Sequence, residues 1–133
     1  MKLYIVGTGA GNAGGMSLDA QSAIQASDIV VGYTLYVELL RSIFPEKNYL
    51  STGMKSEAER AKLALSEAQN GKTVSLICSG DSGVYGMAGL ALELSDNYTN
   101  IDIEIVPGVT AALSGGALLG APLGHDFAVI SLS

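Results

Sequence analysis

Thr73-Val74-Ser75-Leu76-Ile77-Cys78-Ser79-Gly80-Asp81-Ser82-Gly83-Val84-Tyr85-Gly86 is an apolar, β-branched run that breaks into a loop of glycine and serine. Residues 73–78 read as a buried strand, since a short apolar run bounded by turn residues has no polar face for water. A helix around Gly86 to Leu94 is expected to follow. Just upstream, Ser56 and Glu59 have capping-box spacing for a helix from Glu57 to Asn70. Ala61, Leu65 and Ala68 mark one face of that helix, and Gly71 ends it. Helix, strand, glycine turn and helix in succession are the units of which parallel α/β sheets are made.

The same grammar extends outward in both directions. Leu3-Tyr4-Ile5-Val6 runs as a strand into Gly7-Thr8-Gly9-Ala10-Gly11, and Ser17 is placed to cap a helix over Leu18 to Ala26. Asp28 to Gly32 reads as a second strand. Tyr36, Leu39, Leu40 and Ile43 give helical spacing between Tyr33 and Phe44, stopped by Pro45. Asn48 to Leu50 is a brief third strand. Ile101 to Val106 alternates apolar and acidic residues, as a strand with one less buried face does, and Pro107-Gly108 ends it. Val109 to Leu119 suits a helix, and Phe127 to Leu132 a further strand. The expected fold is therefore α/β, a mainly parallel sheet flanked by helices. Its glycine-bearing turns, Gly7–Gly15, Ser79–Gly86 and Pro107-Gly108, gather at the C-terminal edge of the strands, where open parallel sheets bind ligands.

Length and charge narrow the classes. The 133 residues fit one domain, and 48% hydrophobic content argues against disorder. A net charge of −6 without a basic run argues against nucleic-acid and anionic-membrane partners. No apolar stretch has the length of a membrane span, and the residues before Gly7 are too few for a signal peptide's apolar region. A single cysteine fits a reducing cytoplasm, and one His with one Cys makes an N/S metal site improbable, so no metal is expected.

The first glycine loop invites a dinucleotide reading, but Gly-x-Gly-x-x-Gly would need glycine where Asn12 stands. Asp28 lies at the start rather than the end of its strand, and no Walker-type lysine occurs between Lys2 and Lys47. In the second loop, Asp81 is suited either to a ligand's ammonium group or to capping the next helix, and Tyr85 to offering its hydroxyl or packing its ring. His125 and Asp126 are sequence neighbours that a strand would point to opposite faces, so they do not make an acid–base pair. Cys78, ending a buried strand without a basic neighbour in sequence, reads as an inert core thiol.

Cys78-Ser79-Gly80-Asp81-Ser82-Gly83-Val84-Tyr85-Gly86-Met87-Ala88 resembles the tetrapyrrole methylase family, and within it the precorrin-3B C(17)-methyltransferase branch. Gly7–Gly15, Val31-Gly32-Tyr33, Thr52-Gly53-Met54-Lys55, Val106–Ala112 and Gly120–Ser133 add to the resemblance in family order. The resemblance implies a two-domain, homodimeric enzyme that uses S-adenosylmethionine and works in the cleft between its domains. Residues 1–133 would be the N-terminal domain, with the second domain absent from this chain; the apolar end without a closing helix fits that expectation. By the same resemblance the cofactor meets Ser79, Gly80, Asp81, Val84, Thr110 and Ala111. The tetrapyrrole, precorrin-3B or its cobalt analogue, meets Gly7, Thr8, Gly9, Ala10, Gly11 and Asn12. The implied reaction is methylation at carbon 17 with ring contraction in cobalamin biosynthesis. Related uroporphyrinogen methylases carry an aspartate where Asn12 stands; an amide is no general base, and no catalytic residue is assigned. Two other readings remain: a tetrapyrrole methylase acting at another carbon, and a non-catalytic nucleotide- or metabolite-binding domain.

Overall fold

A computed structural model describes residues 1–132; Ser133, the last residue of the final resemblance segment, lies outside the described residues. The strands are β1 (Lys2–Gly7), β2 (Ile29–Tyr33), β3 (Asn48–Thr52), β4 (Thr73–Cys78) and β5 (Asp102–Val106). The helices are α1 (Leu18–Ala26), α2 (Thr34–Arg41), α3 (Glu57–Gln69), α4 (Ala88–Ser95) and α5 (Ala111–Leu118), with a 3-10 turn at Ala13–Gly15. The five strands form one parallel sheet in the order β3-β2-β4-β1-β5.

Side chains alternate across the strands, so each face of the sheet builds its own core. Leu3, Ile5, Val31, Val74 and Leu76 pack under α3 and α4, against Ala61, Ala64, Leu65 and Ala91. Val6, Val30 and Ile77 face the other way, toward Ala20 and Ile24 of α1 and Val37 and Leu40 of α2. The central strands β1, β2 and β4 are buried on both faces and therefore read as continuous apolar runs. Among the described residues β5 pairs with β1 alone, and within it only Val106 is buried. Its alternation of apolar and acidic residues is that of a half-covered edge; Lys2 pairs with both Asp102 and Glu104 there.

Two local expectations differ from what forms. Ser56 precedes α3 with φ −121° and ψ 34° and makes no side-chain cap bond, so the capping box is not made. Lys55 before it is in the left-handed region, and the chain enters the helix from a tight turn rather than from the extended backbone that an N-cap hydroxyl needs. The second difference is at Phe127–Leu132, which forms no strand. An apolar run has strand propensity but becomes a strand only on a partner edge; this segment instead lies against the loop after β4, where Tyr85 holds it.

Candidate functional site

Three loops meet where β1, β4 and β5 end, and backbone bonds join the first two. Gly9 and Gly80 exchange N–H···O bonds of 3.0 and 2.9 Å, and the Thr8 N–H donates to Cys78 O at 2.8 Å. Gly9 has φ +66°, and a Cβ there would lie 2.3 Å from Gly15 O. Gly7 and Gly108 are crowded too: a Cβ on Gly7 would stand 2.7 Å from Gly108 N and Gly80 O, and one on Gly108 2.2 Å from Gly80 O and 2.6 Å from Gly7 O. Every obstructing atom is main chain. Glycine at 7 and 108 therefore lets three loops touch, a demand quite separate from admitting a ligand.

Asp81 completes this junction. Its Oδ2 accepts from the N–H groups of Gly83 (2.8 Å) and Val84 (3.1 Å), and its Oδ1 from that of Gly108 (2.9 Å). Burial pushes the Asp81 carboxyl up, but N–H donors from Gly108, Gly83, Val84 and Ser82 outweigh it, leaving the group below the ordinary carboxylate range. Of the two alternatives raised from sequence, helix capping does not describe this geometry. α4 has Met87 at its N-cap without a side-chain bond, so Asp81 caps no helix; it folds its own loop and ties it to Pro107-Gly108. Ser82, fully buried, adds a bond from Oγ to Val106 O at 3.3 Å.

Outside the junction lies a cleft of about 270 Å³ lined by Ser79, Gly80, Asp81, Val84, Tyr85, Thr110, Ala111, Ala112, Val129, Ile130 and Ser131. All six residues expected at the cofactor are in that lining. The Ser79 and Thr110 hydroxyls bond to no protein group among the described residues, so both are free to meet a ligand. Val84, Ala111, Val129 and Ile130 supply apolar surface. Tyr85 does not pack its ring as core: two-thirds exposed, with φ 51°, it donates its hydroxyl to Val129 O (2.9 Å) and accepts from Ser131 N (3.1 Å). Sequence reasoning missed residues 129–131 as a wall of this cleft, because a six-residue apolar run signals a strand and says nothing of where it lies.

A second cavity, about 340 Å³, opens on the other side of Ser79 and Tyr85, which line both. Its remaining walls include Tyr33, Tyr36, Met54, Glu57, Arg60, Cys78 and Met87. Tyr33 and Tyr36 stand edge to face at 5.2 Å between ring centres. Cys78 is buried there, its Sγ accepting from Met87 N, and burial pushes the thiol up, as an inert core thiol requires. Arg60 was not foreseen either, although a signal exists: it falls on the buried stripe of α3 with Ala61, Ala64, Leu65 and Ala68. A cation among small apolar residues on a core face is an anomaly that sequence shows.

The residues expected at the tetrapyrrole, Gly7–Asn12, line neither cavity. Gly7, Thr8 and Gly9 are buried in the loop junction, and Thr8 donates its hydroxyl to Cys78 O at 2.9 Å. Asn12 is exposed but uses Oδ1 to accept from Gly15 N at 2.6 Å, capping the 3-10 turn. In the outer loop, Ala10 and Asn12 are exposed and Gly11 is half-buried. It borders α2: a Cβ on Gly11 would be 3.3 Å from Leu39, one turn from Tyr36. Asp28, weighed as a ribose ligand, accepts from Thr73 N at 2.8 Å at the opposite end of the sheet. His125 and Asp126 are both exposed, outside any strand. Among the described residues, no group of three His, Cys, Asp or Glu is placed to hold a metal ion, and no helix is long and apolar enough to cross a membrane.

Comparison with known proteins agrees with the fold. The family Tetrapyrrole (Corrin/Porphyrin) Methylases matches residues 2–133. A probable cobalt-factor III C(17)-methyltransferase of Salmonella typhimurium is 46% identical over 132 residues, which are 98% of this chain and 55% of that protein. A precorrin-3B C(17)-methyltransferase of a Sinorhizobium species is 38% identical over 98% of this chain and 53% of its own length. The crystal structure of the methyltransferase CobJ superposes with a TM-score of 0.89 at 34% identity, over 98% of this chain and 56% of that one. The chain thus spans about half the length of these relatives.

Proposed function

Because the chain belongs to the tetrapyrrole (corrin/porphyrin) methylase family, we propose that it forms one wall of a site where S-adenosylmethionine methylates carbon 17 of precorrin-3B or its cobalt analogue. The step would belong to cobalamin biosynthesis and be coupled to contraction of the macrocycle. One observation carries the reading: six residues from two separate loops line a single cleft, and that cleft adjoins a second one across Ser79 and Tyr85. A methyl donor in the first would sit beside an acceptor in the second.

The cleft suits the donor in kind. Unpaired hydroxyls at Ser79 and Thr110 fit polar groups of a nucleoside or amino-acid moiety, and Val84, Ala111 and Ile130 exclude water around them. S-adenosylmethionine supplies an electrophilic methyl on a sulfonium. The chain's own part is to hold that ligand and its neighbour in line, which is where most of the rate of a displacement reaction comes from. The Asp81 junction fixes the loop that carries Ser79 and Val84 against the one that carries Thr110 and Ala111. At about 270 Å³ the open cleft is small for the whole cofactor, in keeping with a second domain as its other wall. Residues 1–133 are accordingly read as the N-terminal domain of such an enzyme, for which the resemblance implies a homodimer and the single cysteine a reducing cytoplasm.

The test supplies methyl-labelled S-adenosylmethionine and precorrin-3B, or its cobalt analogue, to this chain joined to the second domain the reading requires. Label at carbon 17, located by mass and NMR, is the expected result. Label at another carbon would move the protein elsewhere in the family, and an unlabelled macrocycle would overturn the reading.

A further inference from the structure

We propose that Arg60, at the base of the cleft between Tyr33, Tyr36 and Met54, binds a carboxylate side chain of the macrocyclic substrate. The proposal rests on the tetrapyrrole reading above and adds a residue to it. Arg60 is only 5% exposed, yet it lines the 340 Å³ cavity. Its hydrogen-bond partners are all neutral: Nε donates to Thr52 Oγ1 (2.9 Å), Nη2 to Gly53 O (2.9 Å) and Nη1 to Met87 Sδ (3.4 Å). Its guanidinium lies 5.6 Å from the centre of the Tyr33 ring. Among the described residues no carboxylate pairs with it.

A buried cation costs stability unless an anion or a full set of acceptors offsets it. A guanidinium has five N–H donors. Three are used here, which leaves one on each Nη, the pair that grips a carboxylate in fork geometry. The three existing bonds fix the guanidinium's plane in advance, so little freedom is lost on binding. Around it, the crossed rings of Tyr33 and Tyr36 and the exposed Met54 offer apolar surface to a flat ring system. Glu57, also lining the cavity, is exposed and can turn its charge to water. A net charge of −6 would repel a polycarboxylate from most of this surface, so a sequestered cation also directs where such a ligand can bind.

Fluorescence titration of the 133-residue chain with uroporphyrin, a polycarboxylate porphyrin, tests the site. Saturable binding is expected. Arg60→Gln should weaken it about tenfold or more, the scale of one charge-assisted pair, while Arg60→Lys recovers part of the loss. Because Arg60 braces Gly53 and Met87, circular dichroism and melting must show both variants folded. Met54→Glu, on an exposed residue at the mouth, adds a repelling charge without touching the core and is also expected to weaken binding. No saturable binding, or equal affinity of the parent, Arg60→Gln and Met54→Glu, would overturn the proposal. Methyl transfer to carbon 17 is read separately, so that loss of this subsite and loss of the methyltransferase reading are distinguishable.

Discussion

Replacing Gly108 by alanine is expected to open the loop junction without changing any charge. The new Cβ would stand 2.2 Å from Gly80 O, 2.6 Å from Gly7 O and 2.7 Å from Gly7 C. An ordinary carbon–oxygen contact is about 3.5 Å, so the Pro107–Gly108 backbone must retreat by more than about 1 Å. No rotamer relieves this, because the methyl has none and the obstacles are main chain. A retreat of that size stretches the 2.9 Å bond from the Gly108 N–H to Asp81 Oδ1 beyond hydrogen-bond range. Loss of a bond to a charged acceptor costs about 1.5–3 kcal/mol, and residual overpacking about 1–3 kcal/mol. The two overlap, since movement trades one for the other, so a net loss of about 3–4 kcal/mol is expected, a large fraction of a small domain's stability. Urea unfolding of parent and variant measures it, with an unchanged slope as evidence that only stability moved. A loss below about 1 kcal/mol would refute the claim that these loops are in obligatory contact.

Asp81→Asn should make stability less dependent on pH. The folded carboxyl is held below its ordinary value, so the stability it adds is full above the unfolded pKa of about 4 and is lost as pH falls through the lower, folded value. The gap in urea midpoint between parent and variant is therefore expected to be widest near neutrality and to close toward pH 2–3 (roughly the acid limit set by these values); a gap independent of pH would be inconsistent with an ionised, backbone-bonded Asp81. Thr8→Val removes the buried bond to Cys78 O but leaves the backbone bond from Thr8 N, so a loss of about 1 kcal/mol is expected in the same assay. Cys78 should react slowly with a thiol reagent at pH 8 in the native chain and promptly in denaturant, because burial both shields it and raises its pKa; prompt native reaction would show the β4 end to be open. Tyr85→Phe removes both hydroxyl bonds to residues 129–131, so hydrogen exchange there should speed up while the melting temperature stays nearly constant.

What sequence showed and what it hid separate along physical lines. β1, β2 and β4 were legible because strands buried on both faces must be apolar throughout, and the turns after them because only a few residue types reverse a chain so abruptly. α3 was legible from its stripe and from Gly71, whose φ of +95° is the left-handed turn that ends a helix. Ser56 has the right identity for a cap but the wrong backbone, and that is fixed by the turn at Lys55 rather than by Ser56 itself. Residues 127–132 have strand composition, but a strand is a relation between two segments, and only one of them was in view.

The glycines show the deepest ambiguity. A position that tolerates no Cβ states that something lies close, without stating what. At Gly7 and Gly108 the close neighbour is each other's backbone and that of Gly80, so a ligand-binding appearance arises from loop packing. The ligand-facing groups proposed here include the hydroxyls of Ser79 and Thr110 and the guanidinium of Arg60, side chains whose unused hydrogen-bonding capacity becomes visible only when every neighbour is counted. Glycine here builds the rigid junction, and the binding proposed for this chain falls to the side chains that the junction holds beside it.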